Sequence, residues 1–157
     1  MTKTDTTAGD RPDIDPRAPG YAAGIDEQVI HDLVHRFYAR VRVDAVLGPI
    51  FAAEIDDWPV HLEKMCAFWS SVTLMSGRYK GHPMVAHAKI PGISRSHFER
   101  WLELFREAAK EICTPPAAWL FVDRAERIAQ SLQIGIAMHR SAMEGMHPNR
   151  PIQENVT

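Results

Sequence analysis

The sequence predicts an all-α domain with four long helices, and three observations support this fold class. In four segments, apolar residues recur at steps of three and four, which places them on one face of a helix. Residues that favour helix N-termini, such as Asp, Ser, Thr and Pro, stand at the start of these segments. No segment shows the alternation of β-branched and polar residues that is typical of a strand.

The composition is that of one soluble globular domain. The chain has 157 residues, of which 45% are hydrophobic and 24% are charged, and its formal net charge is −2. This balance gives no reason to expect binding to nucleic acid or to an anionic membrane. The two cysteines form no CxxC pair, and neither a signal peptide nor a membrane span is recognised. We therefore expect a reducing, cytoplasmic location.

Both ends of the chain are expected to lie outside the folded domain. Residues 1–23 contain few large apolar side chains and many Pro, Gly, Asp and Thr residues, and residues 143–157 are similar. These compositions predict a disordered N-terminal extension and a flexible C-terminal tail around a domain over residues 24–142.

The first helix is predicted over residues 26–43, with Asp26 as its N-cap. The next segment, LGPIF at residues 47–51, predicts a turn, because Gly48 and Pro49 resist continuation of a helix. The apolar face of the first helix consists of Val29, Ile30, Leu33, Val34, Phe37, Tyr38 and Val41.

The second helix is predicted over residues 58–75, after Asp57 as a cap and with Pro59 in its first turn. Its apolar stripe begins with His61, and a histidine among aromatic residues must find a partner or stay neutral. The pattern alone leaves two interpretations open: a core histidine bonded to a backbone carbonyl, which is the commoner case, or a functional residue. The stripe continues through Met65, Phe68, Trp69 and Val72.

Two more helices are predicted in the second half of the chain. One begins at Ser96, which has the S-x-x-E spacing of a capping box with Glu99. The other covers residues 115–142, after Thr114 as a cap. The apolar face of the former consists of Phe98, Trp101, Leu102, Phe105 and Ala109, and that of the latter of Trp119, Val122, Ala125, Ile128, Ala129, Leu132 and Ile136.

A broken segment, GHPMVAHAKIPGISRSHF at residues 81–98, separates the second and third helices and contains three histidines. These histidines do not suggest a zinc site, because the chain has no HExxH motif and no cysteine–histidine cluster at ligand spacing. His82 and His87 are five residues apart and would face different sides of a helix, and His97 is expected at the rim of a helix start. From the pattern alone, His87 is most simply a surface residue.

Haem makes different demands, namely one axial nitrogen and a mostly apolar slot. Tyr38, His61 and Trp101 are able to donate hydrogen bonds to a ligand in such a slot. Aromatic stripes at helical spacing are more often core than cofactor site, so these residues do not decide the question by themselves. Flat side chains suited to the walls are Phe37, Phe51, Phe68, Trp69, Phe98 and Trp101.

Four phrases in succession resemble the group III truncated haemoglobins. They are FYARVRVDAVLGPIF, WPVHLEKMCAFW, YKGHPMVAH and HFERWLELF, which begin at residues 37, 58, 79 and 97. Their order and spacing are similar to the family's across the predicted domain. The resemblance implies the truncated globin fold, a two-on-two helical sandwich around haem, and binding of diatomic ligands at iron.

The resemblance also assigns roles to single residues. His87 matches the proximal iron ligand, whereas His82 and His97 do not. Tyr38, His61 and Trp101 match the distal residues that stabilise the bound ligand. The implied cofactor is haem b, and either a haem propionate or solvent is the expected partner of Lys64. The complete expected haem site is Phe37, Phe51, His61, Lys64, Met65, Phe68, Trp69, Met84, His87, Phe98 and Trp101.

Three functions remain open at this point. The leading one is reversible binding of dioxygen, nitric oxide and carbon monoxide at haem iron. The second is an enzyme on the same site, for nitric oxide dioxygenation or peroxide reduction, with a reductase as partner. The third is a haem-free helical interaction domain. Catalytic turnover, such as loss of bound dioxygen on addition of nitric oxide, distinguishes the enzyme from the reversible binder. A Soret band in the purified protein excludes the haem-free domain.

Overall fold

The helices form two layers, as the resemblance implied. The computed structural model describes residues 15–145, which contain seven helices and no strand. α2 and α4 pack together in one layer, α6 and α7 form the other, and α2 packs across onto α6. No helix among these residues is long and apolar enough to cross a membrane. In chain order the helices are α1 (Pro19–Ala22), α2 (Glu27–Val43), α3 (Leu47–Glu54), α4 (Trp58–Leu74), α5 (Pro83–Ala88), α6 (Arg95–Ile112) and α7 (Pro115–Gly145).

Aspartate caps start the two helices of the first layer, as predicted. A carboxylate oxygen of Asp26 accepts a hydrogen bond from the backbone N–H of Val29 at 2.9 Å. Asp57 does the same for Val60 at 3.2 Å. α4 ends one residue earlier than predicted, because Met75 adopts the left-handed conformation at a φ of 55°.

The turn predicted at residues 47–51 is wrong, since this segment lies in helix α3. The chain turns earlier, where the Asp44 carboxylate accepts from the N–H groups of Val46 at 3.1 Å and Leu47 at 3.0 Å. Gly48 and Pro49 fall in the first helical turn, where the missing N–H of proline would have no intrahelical partner in any case.

The predicted capping box of α6 is also wrong in its residues. The cap is Ser94, whose backbone N–H donates to Nδ1 of His97 at 3.0 Å. Glu99 instead accepts from Nε of Arg95 at 3.0 Å on the helix surface. His97 is half-buried and stabilises the helix start through this hydrogen bond.

The domain extends beyond both predicted boundaries. Pro19–Ala22 forms a helical turn inside the predicted N-terminal extension, and a Cβ on Gly20 would lie 2.5 Å from the Thr73 carbonyl oxygen of α4. This close approach shows that α1 is part of the packed domain. α7 continues to Gly145. The remaining parts of the two predicted tails, residues 1–14 and 146–157, lie outside the described residues.

The core consists of a large and a small cluster. In the large cluster, the Trp69 ring of α4 stacks on Phe105 of α6 with centroids 5.0 Å apart, and Phe121 of α7 is fully buried. Trp119, which was predicted on the buried face of α7, is instead 69% exposed, because Leu120 and Phe121 occupy that face. The small cluster consists of Ile93, Phe98, Ala129 and Ile136, with Met84, Ala88, Ile90, Leu102 and Leu132 packed against it.

The backbones of α4, α5 and α6 lie apart from one another. In the part of the chain that the structure describes, no Cα atom of one of these helices lies within 8 Å of a Cα atom of another. Helices in direct contact have axes only about 8–10 Å apart, so their nearest Cα atoms come closer than this. α5 packs on α7 instead, and side chains such as Trp69 and Phe105 meet between α4 and α6.

Candidate functional site

His87 lies in the last turn of α5, and its ring is fixed by one hydrogen bond. Its Nδ1 and the carbonyl oxygen of Pro83, one turn earlier, are 2.6 Å apart. A carbonyl only accepts, so Nδ1 carries the proton and donates. Nε2 of the neutral imidazole is then left with a free lone pair. Histidines that ligate a metal have this arrangement, since a second-shell carbonyl or carboxylate holds their other nitrogen.

His61, one turn into α4, has a buried nitrogen with no partner. Nε2 makes no hydrogen bond to any of the described residues. Burial, together with the positive charges that Lys64 and His87 can carry, lowers the pKa of His61 to about 4. An unsatisfied buried polar atom costs about 1–3 kcal/mol, so a ligand beside Nε2 would relieve this cost.

Two aromatic rings contact the ring of His61. Its ring stands edge-on to Tyr38, with centroids 5.0 Å apart, and to Trp58, at 5.7 Å. Tyr38 is also edge-on to Phe51 at 5.9 Å. Burial raises the pKa of Tyr38 far above its usual value, so its phenol keeps the proton that it can donate.

Trp101 reaches this group of rings from α6. It stacks on Phe105 and stands edge-on to Phe37, in both cases with centroids 5.4 Å apart. Phe37 in turn contacts Tyr38 at 4.9 Å. The structure therefore brings Tyr38 and His61 into direct contact and connects Trp101 to them through Phe37.

The predicted wall residues differ in how much surface they offer to a bound group. Phe51, Met65, Phe68 and Trp101 are half-buried, and Lys64 is exposed. Others are already covered by protein: Phe37 and Trp69 belong to the large core cluster at 2% and 3% exposure, Phe98 belongs to the small cluster, and Met84 packs against Gly135 of α7. These covered residues support the walls from behind, and direct contact of each residue with haem remains a prediction.

Sequence reasoning missed two aromatic residues of the site. Trp58 lies three residues before His61 on α4 and therefore shares its helix face. The guanidinium of Arg42 lies 4.5 Å above the Trp58 ring. Tyr79 stands edge-on to Phe68 with centroids 5.2 Å apart. The spacing signal was available for Trp58, whereas Tyr79 lies in a non-helical segment, where periodicity carries no information.

These features fit a bound haem. His87 offers a free imidazole nitrogen, which is the usual axial ligand of globin iron. The unpaired Nε2 of His61 is the donor or acceptor that a ligand on the iron would meet. Half-buried apolar side chains are present on α3, α4 and α6, and the backbones of α4, α5 and α6 lie apart from one another.

Comparison with known proteins supports this interpretation. The bacterial-like globin family matches residues 21–132. A group 3 truncated haemoglobin of Campylobacter jejuni is 34% identical over 113 residues, covering 69% of this chain and 89% of that protein.

Two solved structures have a similar fold. The crystal structure of the group III truncated haemoglobin from Campylobacter jejuni matches with a TM-score of 0.68 and 33% identity, over 71% of this chain and 91% of that one. A variant of the group II truncated haemoglobin from Bacillus anthracis matches with a TM-score of 0.61 and 27% identity, over 75% and 92% of the two chains. With the two-layer fold, these matches show that the chain belongs to the bacterial-like globin family as a group III truncated haemoglobin, a haem protein that binds diatomic ligands.

Proposed function

We propose that this globin binds dioxygen reversibly on haem b, with carbon monoxide and nitric oxide as further ligands. The observation that carries the proposal is the buried, unpartnered Nε2 of His61 beside Tyr38. When bound, haem supplies an iron atom with an open position for a diatomic molecule and shifts negative charge onto dioxygen. The remaining functions belong to the side chains of the chain itself.

His87 is the proposed proximal ligand, held in one orientation. The hydrogen bond from Nδ1 to the Pro83 carbonyl selects the tautomer whose Nε2 is a ligand. The same bond makes the imidazole a stronger base toward the metal. Because Pro83 and His87 both lie in α5, the orientation is set within one short helix.

Tyr38, His61 and Trp101 are the proposed distal donors. Tyr38 stays protonated because of its burial, and the indole of Trp101 can donate but not accept. Hydrogen bonds to a charged group contribute about 1.5–3 kcal/mol each. These donors therefore favour dioxygen, which becomes partly negative, over carbon monoxide, which carries little charge.

A second candidate function is an enzyme on the same site, either a nitric oxide dioxygenase or a peroxide reductase. The observation in its favour is the direct contact of the Tyr38 and His61 rings, since two donors at one ligand also polarise an O–O bond. Sustained turnover needs electrons, so this candidate includes a reductase as partner. Repeated loss of bound dioxygen on addition of nitric oxide, sustained by a reductant, would favour the enzyme over the carrier.

The first experiment is an absorption spectrum of the purified full-length protein, with and without dioxygen and carbon monoxide. We expect a Soret band that shifts with each gas, and a pyridine haemochrome spectrum of haem b. In H87A, haem should be lost or weakly held, and added imidazole should restore part of the spectrum.

H82A and H97A are the matched controls, because both residues lie in or next to the same segment. Both variants should keep the spectrum of the parent protein. If H87A keeps haem while H82A or H97A loses it, the assignment of His87 as the proximal ligand is wrong. A colourless parent protein that does not take up added haem would contradict the proposal and favour the third function, a haem-free helical interaction domain.

The two cysteines support a cytoplasmic location for this protein. Cys66 and Cys113 are both free thiols in the structure, as is usual for proteins of reducing compartments. Cell fractionation with an antibody against the chain tests this part of the proposal, and recovery outside the cytoplasm would contradict it.

A further inference from the structure

Two histidines on the outer side of α2 form a pair that the haem site does not use. His31 and His35 are one helical turn apart and both exposed, and their rings stack with centroids 3.9 Å apart at an interplanar angle of 25°. Residues 31–35 read HDLVH, so the histidines have the spacing of the HExxH zinc motif. This pair was not among the candidate site residues predicted from the sequence.

Both rings are held in the tautomer that leaves Nε2 free. Nδ1 of His35 donates to the carbonyl oxygen of His31 at 2.8 Å. Nδ1 of His31 lies 3.4 Å from a carboxylate oxygen of Asp32, which also accepts from the side-chain amide of Gln28 at 2.9 Å. A backbone carbonyl and a carboxylate are the outer partners that metal-ligating histidines use to fix the ring and raise its basicity.

We propose that His31 and His35 bind one divalent transition-metal ion, such as Cu²⁺ or Zn²⁺, through their Nε2 atoms. Residues at i and i+4 share one helix face, so the two lone pairs are available to the same ion. Zinc–nitrogen bonds of about 2.0–2.1 Å place two tetrahedral ligand atoms about 3.3 Å apart. Binding therefore turns the stacked rings so that their Nε2 lone pairs converge on the ion.

The site is an open one, with two ligands from the protein. In residues 15–145, no three His, Cys, Asp or Glu residues surround one metal position. Water therefore completes the coordination, and the ion exchanges with solvent. Imidazole ligands suit copper, nickel and zinc, and the usual order of affinities makes Cu²⁺ bind more tightly than Zn²⁺.

The test is calorimetric titration of Zn²⁺ and of Cu²⁺ into the haem-bound, full-length protein after treatment with a chelator. We expect one saturable equivalent, with tighter binding of Cu²⁺. H31A and H35A should each abolish this equivalent. D32N should weaken it by about 10–100-fold, the usual effect of losing an outer partner of a ligating histidine.

Two control variants make the test specific. His139 is an exposed histidine on α7 with Gly135 and Met143 one turn away, so H139A should bind like the parent. The double variant H35A/R36H keeps two histidines but moves the second by one position, which is about 100° around the helix axis. This variant should lose the site.

Three outcomes would overturn the proposal. They are the absence of a saturable equivalent in the parent, a site that survives in both H31A and H35A, and an equal loss of binding in H139A. Circular dichroism of each variant shows whether α2 stays folded. Because the substituted side chains are exposed, we expect unchanged spectra.

Discussion

At the scale of single residues, burial sets the protonation of the distal site. It lowers the pKa of His61 to about 4 and raises that of Tyr38 above its usual range. At neutral pH both side chains are uncharged, and both carry a proton able to form a hydrogen bond. The proposed distal site is therefore a set of neutral donors, whose effect would depend on how much charge the ligand carries.

The rates of ligand release test these donors one by one. In the proposed site, Y38F and W101F each remove one hydrogen bond to a partly charged ligand, and H61L removes the third candidate. Since about 1.4 kcal/mol corresponds to tenfold, each loss should speed dioxygen release by about tenfold to a hundredfold in stopped-flow measurements. Carbon monoxide release is the control and should change much less. If the release of both gases is accelerated equally, the substituted side chains act as a steric barrier and not through hydrogen bonds.

The lowered pKa of His61 predicts a pH dependence of stability. Between pH 6.5, the ordinary pKa, and about 4, the unfolded chain binds a proton at His61 that the folded chain does not. The free energy of unfolding should therefore fall as the pH falls through this window, and the contribution of His61 should be complete only above pH 6.5. Denaturant unfolding of the parent and of H61L at a series of pH values measures this. If both proteins lose the same stability across the window, the dependence belongs to other groups.

At the scale of helices, their ends depend on local chemistry that a few residues supply. Asp26, Asp57 and Asp44 each accept backbone N–H groups at a helix start. Asp44 also accepts from Arg100 of α6 at 2.7 Å, which connects the start of α3 to the second layer. The end of α4 is different, because Met75 stops it in a left-handed conformation that favours glycine.

Met75 is therefore a site where glycine should stabilise the fold. Its side chain is 55% exposed, so little packing is lost in M75G. The left-handed conformation costs a non-glycine residue about 1–2 kcal/mol, of which the flexibility of glycine in the unfolded chain cancels a part. We expect a net gain of about 0.5–1 kcal/mol in the free energy of unfolding. M138G, an exposed methionine inside α7, should lose about 1 kcal/mol by the same measurement. A loss of stability in M75G would contradict the assigned backbone strain.

The apolar face of α4 should connect haem binding with stability. Phe68 is half-buried and edge-on to Trp69 and Tyr79. F68A should cost about 3 kcal/mol, the lower end for a buried phenylalanine, and should speed the transfer of haem to an acceptor protein. F121A, in the core at 0% exposure, should cost at least as much stability with a smaller effect on haem transfer. Unchanged haem retention in F68A would place this ring away from the cofactor.

At the scale of the whole molecule, the apolar core is divided into two clusters. Leu102 is the one side chain of the described residues that packs against both clusters. α5, which carries His87, packs on α7, and among the described residues none of its Cα atoms lies within 8 Å of a Cα atom of α4 or α6. A group bound between α4, α5 and α6 would therefore connect parts of the domain that share few contacts with one another.

Removal of haem should accordingly loosen one part of the molecule more than the rest. We expect hydrogen exchange to rise most in α5 and the segment around it, and least in α2 and in the N-terminal half of α7. The thermal midpoint should fall as well, since a ligand that binds only the folded state stabilises it by mass action. Exchange that rises evenly over all helices would show that haem stabilises the fold without this regional preference.

The sequence by itself determined the features that depend on neighbours along the chain. Four long helices followed from the spacing of apolar residues, and the caps at Asp26 and Asp57 from short-range hydrogen bonding. The roles of His87, His61, Tyr38 and Trp101 came from the family resemblance, because a histidine in a broken segment or on an apolar face has several interpretations. A local sequence pattern does not indicate which other helix packs against a given residue.

Only the tertiary structure decided the features that depend on contacts between distant segments or on three-dimensional geometry. Leu47–Glu54 is a helix despite Gly48 and Pro49, since both fall in the first turn, after the Asp44 cap. Trp119 is exposed because its neighbours on α7 cover the second layer. Trp58 joins the site, Nε2 of His61 stays without a partner, and His31 and His35 stack on the outer side of α2. The physical reason is that helical periodicity places residues on faces, whereas burial and the partners of a polar atom are set by what packs against each face.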